Sequence, residues 1–411
     1  MQRLPTTRQR LAAILPLATF VAATTHWMTW SEPIRQHFAG DVDDYERIAR
    51  AAPHFTWPQI TGHISMWPMH YVVGVVAWAT HVPLHAVYYV LAIAVLAALV
   101  WAIDRILVAL EVGPTAYALG MAAALLNPYV FRYLALAPGM INDAVFGLCV
   151  ALTVLGLLER RTWLVVVALV VAALARGWST PPLQIAAAVW LLADGRIELR
   201  RRRSAVAAAI ALPFAAFGAA YWVGATTPGH AQALKDCCSL TTLTIVGDIA
   251  HLPGSAHAIA VHLARTAIGI AMPLAVVLAA AALRLSGRAR PFERRSWWLL
   301  LVSAVLVAEP ILLSSAWNDG AEPRLVSYAT VPAAALAALA LDRLDLSRRV
   351  AAACLVLFAV ASFSHRFAHP GPHTAGQFAA LVFACGALVF LLVAGTRLAP
   401  RREPATRPRT E

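Results

Sequence analysis

The stretch GDVDDYERIAR, residues 40–50, places Asp41, Asp43 and Asp44 within four positions, directly after the first apolar run of the chain. A carboxylate held where water meets lipid is partly desolvated, and one whose direction is fixed can take a proton from a hydroxyl. The same spacing also starts a helix, with Asp41 as N-cap and Asp44 three residues on as the acid of a capping box. The two roles are compatible, because capping fixes the direction that a base needs. Further polar residues recur where apolar runs end: His54 and His63; Arg132; Asn142 and Asp143; Arg176; Asp236 and Asp248; Asp319, Glu322, Arg324 and Tyr328. Arginine forks match phosphate oxygens and carboxylates take protons, so this set suits acid–base chemistry on a phosphate-bearing substrate.

The elements that must position these residues are apolar. Of 411 residues, 60% are apolar and 13% charged. The apolar residues gather in runs of about 15 to 25, the length needed to cross a bilayer, so the chain reads as a polytopic helical membrane protein and not a soluble globule. The net charge of +12 is carried by arginine, concentrated in GRIELRRRR (195–203), RLSGRARPFERR (284–295), DRLDLSRR (342–349) and the tail 397–411. Basic connections mark the cytoplasmic side, so the charge reports topology and calls for no nucleic-acid partner.

Alternating the runs between these markers yields about twelve spans with both termini cytoplasmic. A first span covers 10–30, an outer loop 31–66, the remaining spans 67–396, and a basic cytoplasmic tail 397–411, all in one transmembrane domain. Run 67–81 must be interfacial or re-entrant for the parity to close; its 15 residues make only about 22 Å of helix. On this sorting the outer connections hold the mixed set of acids, bases, histidines and tryptophans. Cys237 and Cys238 are adjacent, and Cys149, Cys354 and Cys385 lie in apolar runs, so no cysteine chemistry is assigned.

Each group has a plain structural alternative. Asn142 and Asp143 could cap the helix that follows the Pro138-Gly139 break. Arg324 could pair with Glu322 and snorkel, while Tyr328, four residues on, shares its helix face. Arg176 runs against the inward bias of arginine, and a phosphate at the membrane surface would explain it.

With these residues in view, DVDDYERIAR resembles the first outer loop of GT-C glycosyltransferases, in the branch of protein O-mannosyltransferases and lipid A aminoarabinose transferases. Asp41, Tyr45 and the Ile48-Ala49 pair carry the likeness. WPMHYVV (67–73) is similar to the proline and aromatic stretch that follows in that family, with one proline where two are usual. Asn142-Asp143 resembles its second outer aspartate, ALARGWSTPPLQ (173–184) its lysine-containing stretch with Arg176 in place of lysine, and EPRLVSYATVP (322–332) its late arginine and tyrosine. The Asp41, Asp43, Asp44 cluster also resembles the DXD-type loop of other GT-C members, which leaves the choice of base among the three open.

The resemblance implies a GT-C-like all-α fold with a helical first outer loop. It implies transfer of a mannose-like or arabinose-like sugar from a polyprenyl-phosphate donor to a glycan, lipid or protein acceptor, with inversion, on the outer face of a bacterial plasma membrane. In that scheme Asp41, or its neighbours Asp43 and Asp44, acts as base and Asp143 orients the acceptor. Arg176 and Arg324, with Arg132 in reserve, hold the phosphate, and Tyr45, His63, Asn142, Glu322 and Tyr328 line the substrate. No cofactor is certain, and a divalent cation stays open. The competing expectations are a transporter or lipid flippase, for which Glu309-Pro310 deep in a span is the cited feature, and a scaffold without chemistry.

Overall fold

The computed structural model describes residues 4–26, 42–43, 45–54, 66–195, 197–226, 256–287, 293–312, 322–344, 346–363 and 375–396. Asp41, Asp44, His63, Asp236, Asp248, Asp319, Cys237, Cys238 and the tail 397–411 lie outside them, as does the side chain of Glu322. Among the described residues there is no strand. Helices α1 (Thr7–His26), α3 (Trp67–Thr80), α4 (Leu84–Ala109), α5 (Pro114–Leu125) and α6 (Tyr133–Leu136) follow the chain, with the helical residues 42–43 and 45–51 of the loop taken as α2. They continue as α7 (Ile141–Glu159), α8 (Thr162–Arg176), α9 (Thr180–Ala193), α10 (Leu199–Thr226), α11 (Ala256–Ile268) and α12 (Ala271–Leu285). The remainder are α13 (Arg294–Leu312), α14 (Glu322–Val326), α15 (Thr330–Leu341), α16 (Arg348–Phe363) and α17 (Ala375–Ala394).

Among the described residues, six helical stretches are long and apolar enough to cross a membrane, or eight if two bent pairs each count as one span. This count supports an all-α, membrane-type chain and falls short of the expected twelve or so spans. The shortfall has causes in the sequence: α16 is only 16 residues long, α13 carries Arg294, Arg295 and Glu309, and α1 is bounded by Arg8, Arg10 and His26. Helix α15 sits at the centre, with every residue from Thr330 to Leu341 buried, and its alanines let neighbours approach closely. Gly120 of α5 faces Ala338 there, and an added Cβ would crowd that methyl.

The bundle sorts its charges by end. At about 1.5 Å per residue, the 19 residues of α7 separate Asp143 from Glu159 by roughly 25 Å. Around Glu159 gather ion pairs with Arg105 (3.1 Å) and Arg161 (3.0 Å), then Arg160 with Asp194 (3.4 Å), Arg10 with Asp104 (2.7 Å), and Arg343 with Glu293. The opposite end holds α2, Asn142, Asp143, Arg176 and Arg324. Glu293 and Arg343 belong to two of the basic clusters, and Arg202 of a third donates to the Asp194 carbonyl (3.5 Å), so three of the four clusters meet at one end, away from Asp143.

Two features shape the Asp143 end. First, α2 lies against α3 and α4: Tyr45 stacks on His70 with ring centroids 4.0 Å apart, and His70 Nδ1 meets the Tyr88 hydroxyl at 3.0 Å. Gly74 makes this approach possible, since a Cβ there would overlap the backbone carbonyl of Ala49. Second, two helix pairs are broken, α5 from the Pro128–Leu136 segment by 45° and α11 from α12 by 97°. Asn127 joins the two breaks, because its side-chain amide donates to the Gly269 carbonyl (2.6 Å) and to Thr330 Oγ1 (2.8 Å). Its own Oδ1 accepts from the Tyr129 N–H, which starts the π-helical turn Pro128–Arg132. Asn127→Ala would leave the buried Gly269 carbonyl unpaired, at a cost of about 1–3 kcal/mol, read as a lower unfolding midpoint in detergent.

Candidate functional site

Asp143 stands in the first turn of α7, but the helix is capped by the backbone at Met140 without any side-chain bond. The capping role therefore falls to neither Asn142 nor Asp143. Asp143 instead turns into the bundle, 3% exposed, and its Oδ1 accepts from Arg176 Nη1 while its Oδ2 lies 3.8 Å from Arg324 Nε. One carboxylate thus faces two guanidiniums that arrive on α8 and α14, far apart in sequence. A lone carboxylate cannot neutralise both, so the cluster keeps a positive surplus unless another acid joins it.

That acid is Glu309. It is buried on α13, and Ser179 and Arg176 face it. The sequence marked Glu309-Pro310 only as a mid-span oddity; the structure brings it into the Asp143 cluster and not into a separate central cavity. Position relative to Arg176 was illegible because the two lie 133 residues apart and on different helices. Tyr328 completes the group, with its ring 5.5 Å from the Arg176 guanidinium and packed edge-on against Phe146 at 4.7 Å. Thr180 Oγ1 donates to the Arg176 carbonyl (2.9 Å), fixing the end of α8 from which that arginine projects.

Several buried polar atoms here reach no hydrogen-bond partner among the described residues: Asp143 Oδ2, Arg176 Nε, the Tyr328 hydroxyl and both oxygens of Glu309. Buried polar groups are normally paired, so a set of orphans in one cluster calls for a polar ligand or for water. A cavity of about 20 Å³ bounded by Asp143, Arg324, Ser327, Tyr328, Tyr129 and Tyr133 adjoins it, room for about one water.

The loop helix sits over this cluster. Val42 packs on Gly139, four residues before Asp143, and Tyr45 shares Met66 Sδ with Asn142 (3.3 and 3.2 Å). Tyr45 and Asn142, expected to line substrate, are therefore buried and link α2 to the start of α7. Asp43 is exposed on α2. Arg324 approaches Asp143, and the alternative pairing with Glu322 involves a side chain outside the described residues. Glu322 opens α14, and the Ser327 hydroxyl donates to the Arg324 carbonyl (2.6 Å).

Arg132 is not brought to the cluster. It is 1% exposed, donates to Ser362 Oγ (2.8 Å) and Thr24 Oγ1 (2.5 Å), and lies between the rings of Phe20 and Phe363. It ties α1 and α16 to the π-turn, and its apolar surroundings leave no open face for a phosphate. Arg132→Ala is expected to lower stability by about 2 kcal/mol through the lost packing and hydrogen bonds, leaving lipid-phosphate affinity unchanged. Thermal unfolding and lipid-phosphate titration of the same sample separate the two; weaker binding at unchanged stability would return Arg132 to the site.

The three described cysteines, Cys149, Cys354 and Cys385, are free and buried. Among the described residues no three His, Cys, Asp or Glu side chains are grouped to hold a metal ion. Comparison of the chain with protein-family profiles, with characterised proteins and with solved structures finds no match.

Proposed function

We propose that the chain is a GT-C-like integral membrane glycosyltransferase that moves a sugar from a polyprenyl-phosphate donor to an acceptor at the outer face of a bacterial plasma membrane, with inversion. The observation that carries this reading is the convergence of Asp143, Arg176 and Arg324 from three separate regions into one buried cluster beneath the aspartate-bearing loop helix. Two guanidiniums converging on one carboxylate are suited to a phosphate, and the adjacent loop supplies carboxylates at the water boundary.

In the proposed step, an aspartate of the 41–44 loop takes the acceptor hydroxyl proton. The acceptor oxygen forms a bond to the anomeric carbon from the face opposite the phosphate, and the bond from that carbon to the phosphate oxygen breaks. The leaving polyprenyl phosphate keeps the electron pair, and Arg176 and Arg324 stabilise its charge. Asp143 holds both arginines in direction, so it acts as a positioning residue.

The test uses full-length protein in lipid nanodiscs with sugar-labelled polyprenyl-phosphate mannose or arabinose and a membrane-derived acceptor fraction. Wild type should release polyprenyl phosphate and label the acceptor, and Arg324→Ala should slow this by about 10²-fold, the usual loss when one stabilising donor is removed. Arg324→Lys should retain part of the rate. The two broken helix pairs favour one second reading, a transporter or flippase, because discontinuous helices build substrate sites in such proteins. Intact donor that nevertheless crosses the bilayer in proteoliposomes would establish that reading and end the transferase one.

A further inference from the structure

Away from the charged cluster, α11, α12, α13 and α15 enclose a groove of about 320 Å³. Its walls are Leu263, Ile270, Leu274, Leu300, Val307 and Leu336, with smaller apolar residues between them. Two hydroxyls face it, and both are spent on their own helices: Thr266 Oγ1 donates to the His262 carbonyl (2.9 Å) and Ser303 Oγ to the Leu299 carbonyl (2.8 Å). The groove therefore offers an occupant hydrocarbon contact and no free polar partner, which disfavours a sugar or peptide. Leu263 is 46% exposed at its edge and Ala304 is exposed on the facing wall, so the groove opens sideways, where the bilayer lies.

The groove also has a direction. Between Leu300 and Ile311 it follows about 16 Å of α13 at 1.5 Å per residue, ending two residues past Glu309. At that end Gly269, at the α11 to α12 break, lies so close to Pro323 and Val326 that a Cβ would overlap them. These two residues flank Arg324. The 97° bend thus places the wall residues Ala267 and Ile270 beside the segment that carries the cationic side chain.

We infer that this groove holds the hydrocarbon chain of the lipid-linked donor, with its phosphate at the Arg324 end. Resting on the transferase reading for its head group, this assigns the chain a fixed path, entering between α11 and α13 and not through the loop side. An apolar channel beside a cation complements an anionic lipid, whereas a neutral lipid would gain only the apolar part.

The experiment is photolabelling of the full chain in nanodiscs with a diazirine-bearing polyprenyl monophosphate, beside a diazirine-bearing polyprenol and a diazirine-bearing phosphatidylglycerol. The monophosphate should label residues 263–277 and 300–311. Arg324→Ala should weaken its apparent affinity by about tenfold, the equivalent of one charge-assisted hydrogen bond. Ala304→Trp and Leu263→Trp, which fill the groove from opposite exposed walls, should each abolish labelling there while the circular dichroism and elution volume stay as in wild type. Equal labelling by polyprenol or phosphatidylglycerol, insensitive to Arg324→Ala, would make the groove a surface wetted by bulk lipid and overturn the assignment. So would crosslinks showing that residues 227–255 or a second copy fill it. Sugar transfer that persists in both tryptophan variants sinks the groove and spares the transferase. Specific labelling without any transfer does the reverse.

Discussion

Asp143→Ala should abolish sugar transfer and lower stability by about 3–5 kcal/mol, the largest loss expected of any single change in the chain. The carboxylate is buried with Arg176 on one oxygen and Arg324 on the other, and its removal leaves two guanidiniums facing each other without the acid between them. Breaking a buried pair from one side costs this much because the abandoned charge stays desolvated. Among the described residues Glu309 also faces Arg176, and it lies on α13, so it compensates only in part. A cycle separates the roles. Asp143→Asn combined with Arg176→Met removes both charges, so its unfolding midpoint in detergent should lie above that expected from the sum of the single changes, while transfer remains absent. If Asp143→Ala unfolds at the wild-type temperature, the cluster carries no electrostatic tension and the account of the site fails.

What the sequence revealed and what it hid divide along physical lines. Apolar run length made the all-helical membrane character legible, and arginine placement put the connections near 195–203, 284–295 and 342–349 on one side, where Asp194, Glu293 and Arg343 lie in ion pairs, since both signals are local. The span count was less legible, because run length alone does not register the charges inside α13 or the bends at residues 126–127 and 269–270. Of the expected phosphate-binding arginines, Arg176 and Arg324 do meet at Asp143, whereas Arg132 is drawn into a contact with Thr24 and Ser362, more than a hundred residues away on either side. Nothing near Arg132 in the chain distinguishes those outcomes. The same holds for Glu309, whose partner Arg176 could be read only from tertiary packing.

The cluster also bears on the scaffold alternative, which expects Asp41, Asp143 and Arg176 to point apart; Asp41 lies outside the described residues, which leaves Asp143 and Arg176 to compare. They point together. Their joint burial costs desolvation that apolar residues of similar volume would avoid, so the presence of the charges argues for a use. The orphaned atoms of Asp143, Arg176, Tyr328 and Glu309 sharpen the point, since a network kept only for packing would be expected to satisfy its members.

A second large effect is expected at a residue with no side chain. Gly74→Val should undock the loop helix and reduce transfer by about 10²-fold, although position 74 carries no chemistry. The Ala49 carbonyl occupies the place where any Cβ would go, and a backbone atom cannot yield by changing rotamer. Overpacking of this kind costs about 3 kcal/mol or more. The strain can be relieved by moving α3 or by releasing α2, and α2 is held chiefly by the Tyr45 to His70 stack, the Tyr71 hydroxyl bond to the Pro53 carbonyl (2.7 Å) and the contact of Val42 with Gly139. Helix α3 is anchored more widely, since Trp67 Nε1 bonds the Ala220 carbonyl (2.8 Å) and His70 reaches Tyr88. Release of α2 is the cheaper route, and it displaces the aspartate loop from the arginines by enough to disrupt reaction geometry. Amide exchange should therefore accelerate over residues 45–54 in Gly74→Val while the amides of 149–157 in α7 stay protected. His70→Ala, which removes the stack without adding bulk, should shift the same amides in the same direction by less. Unchanged exchange over 45–54 together with lost transfer would mean that α3 had moved instead, and that the loop aspartates are held by contacts other than these.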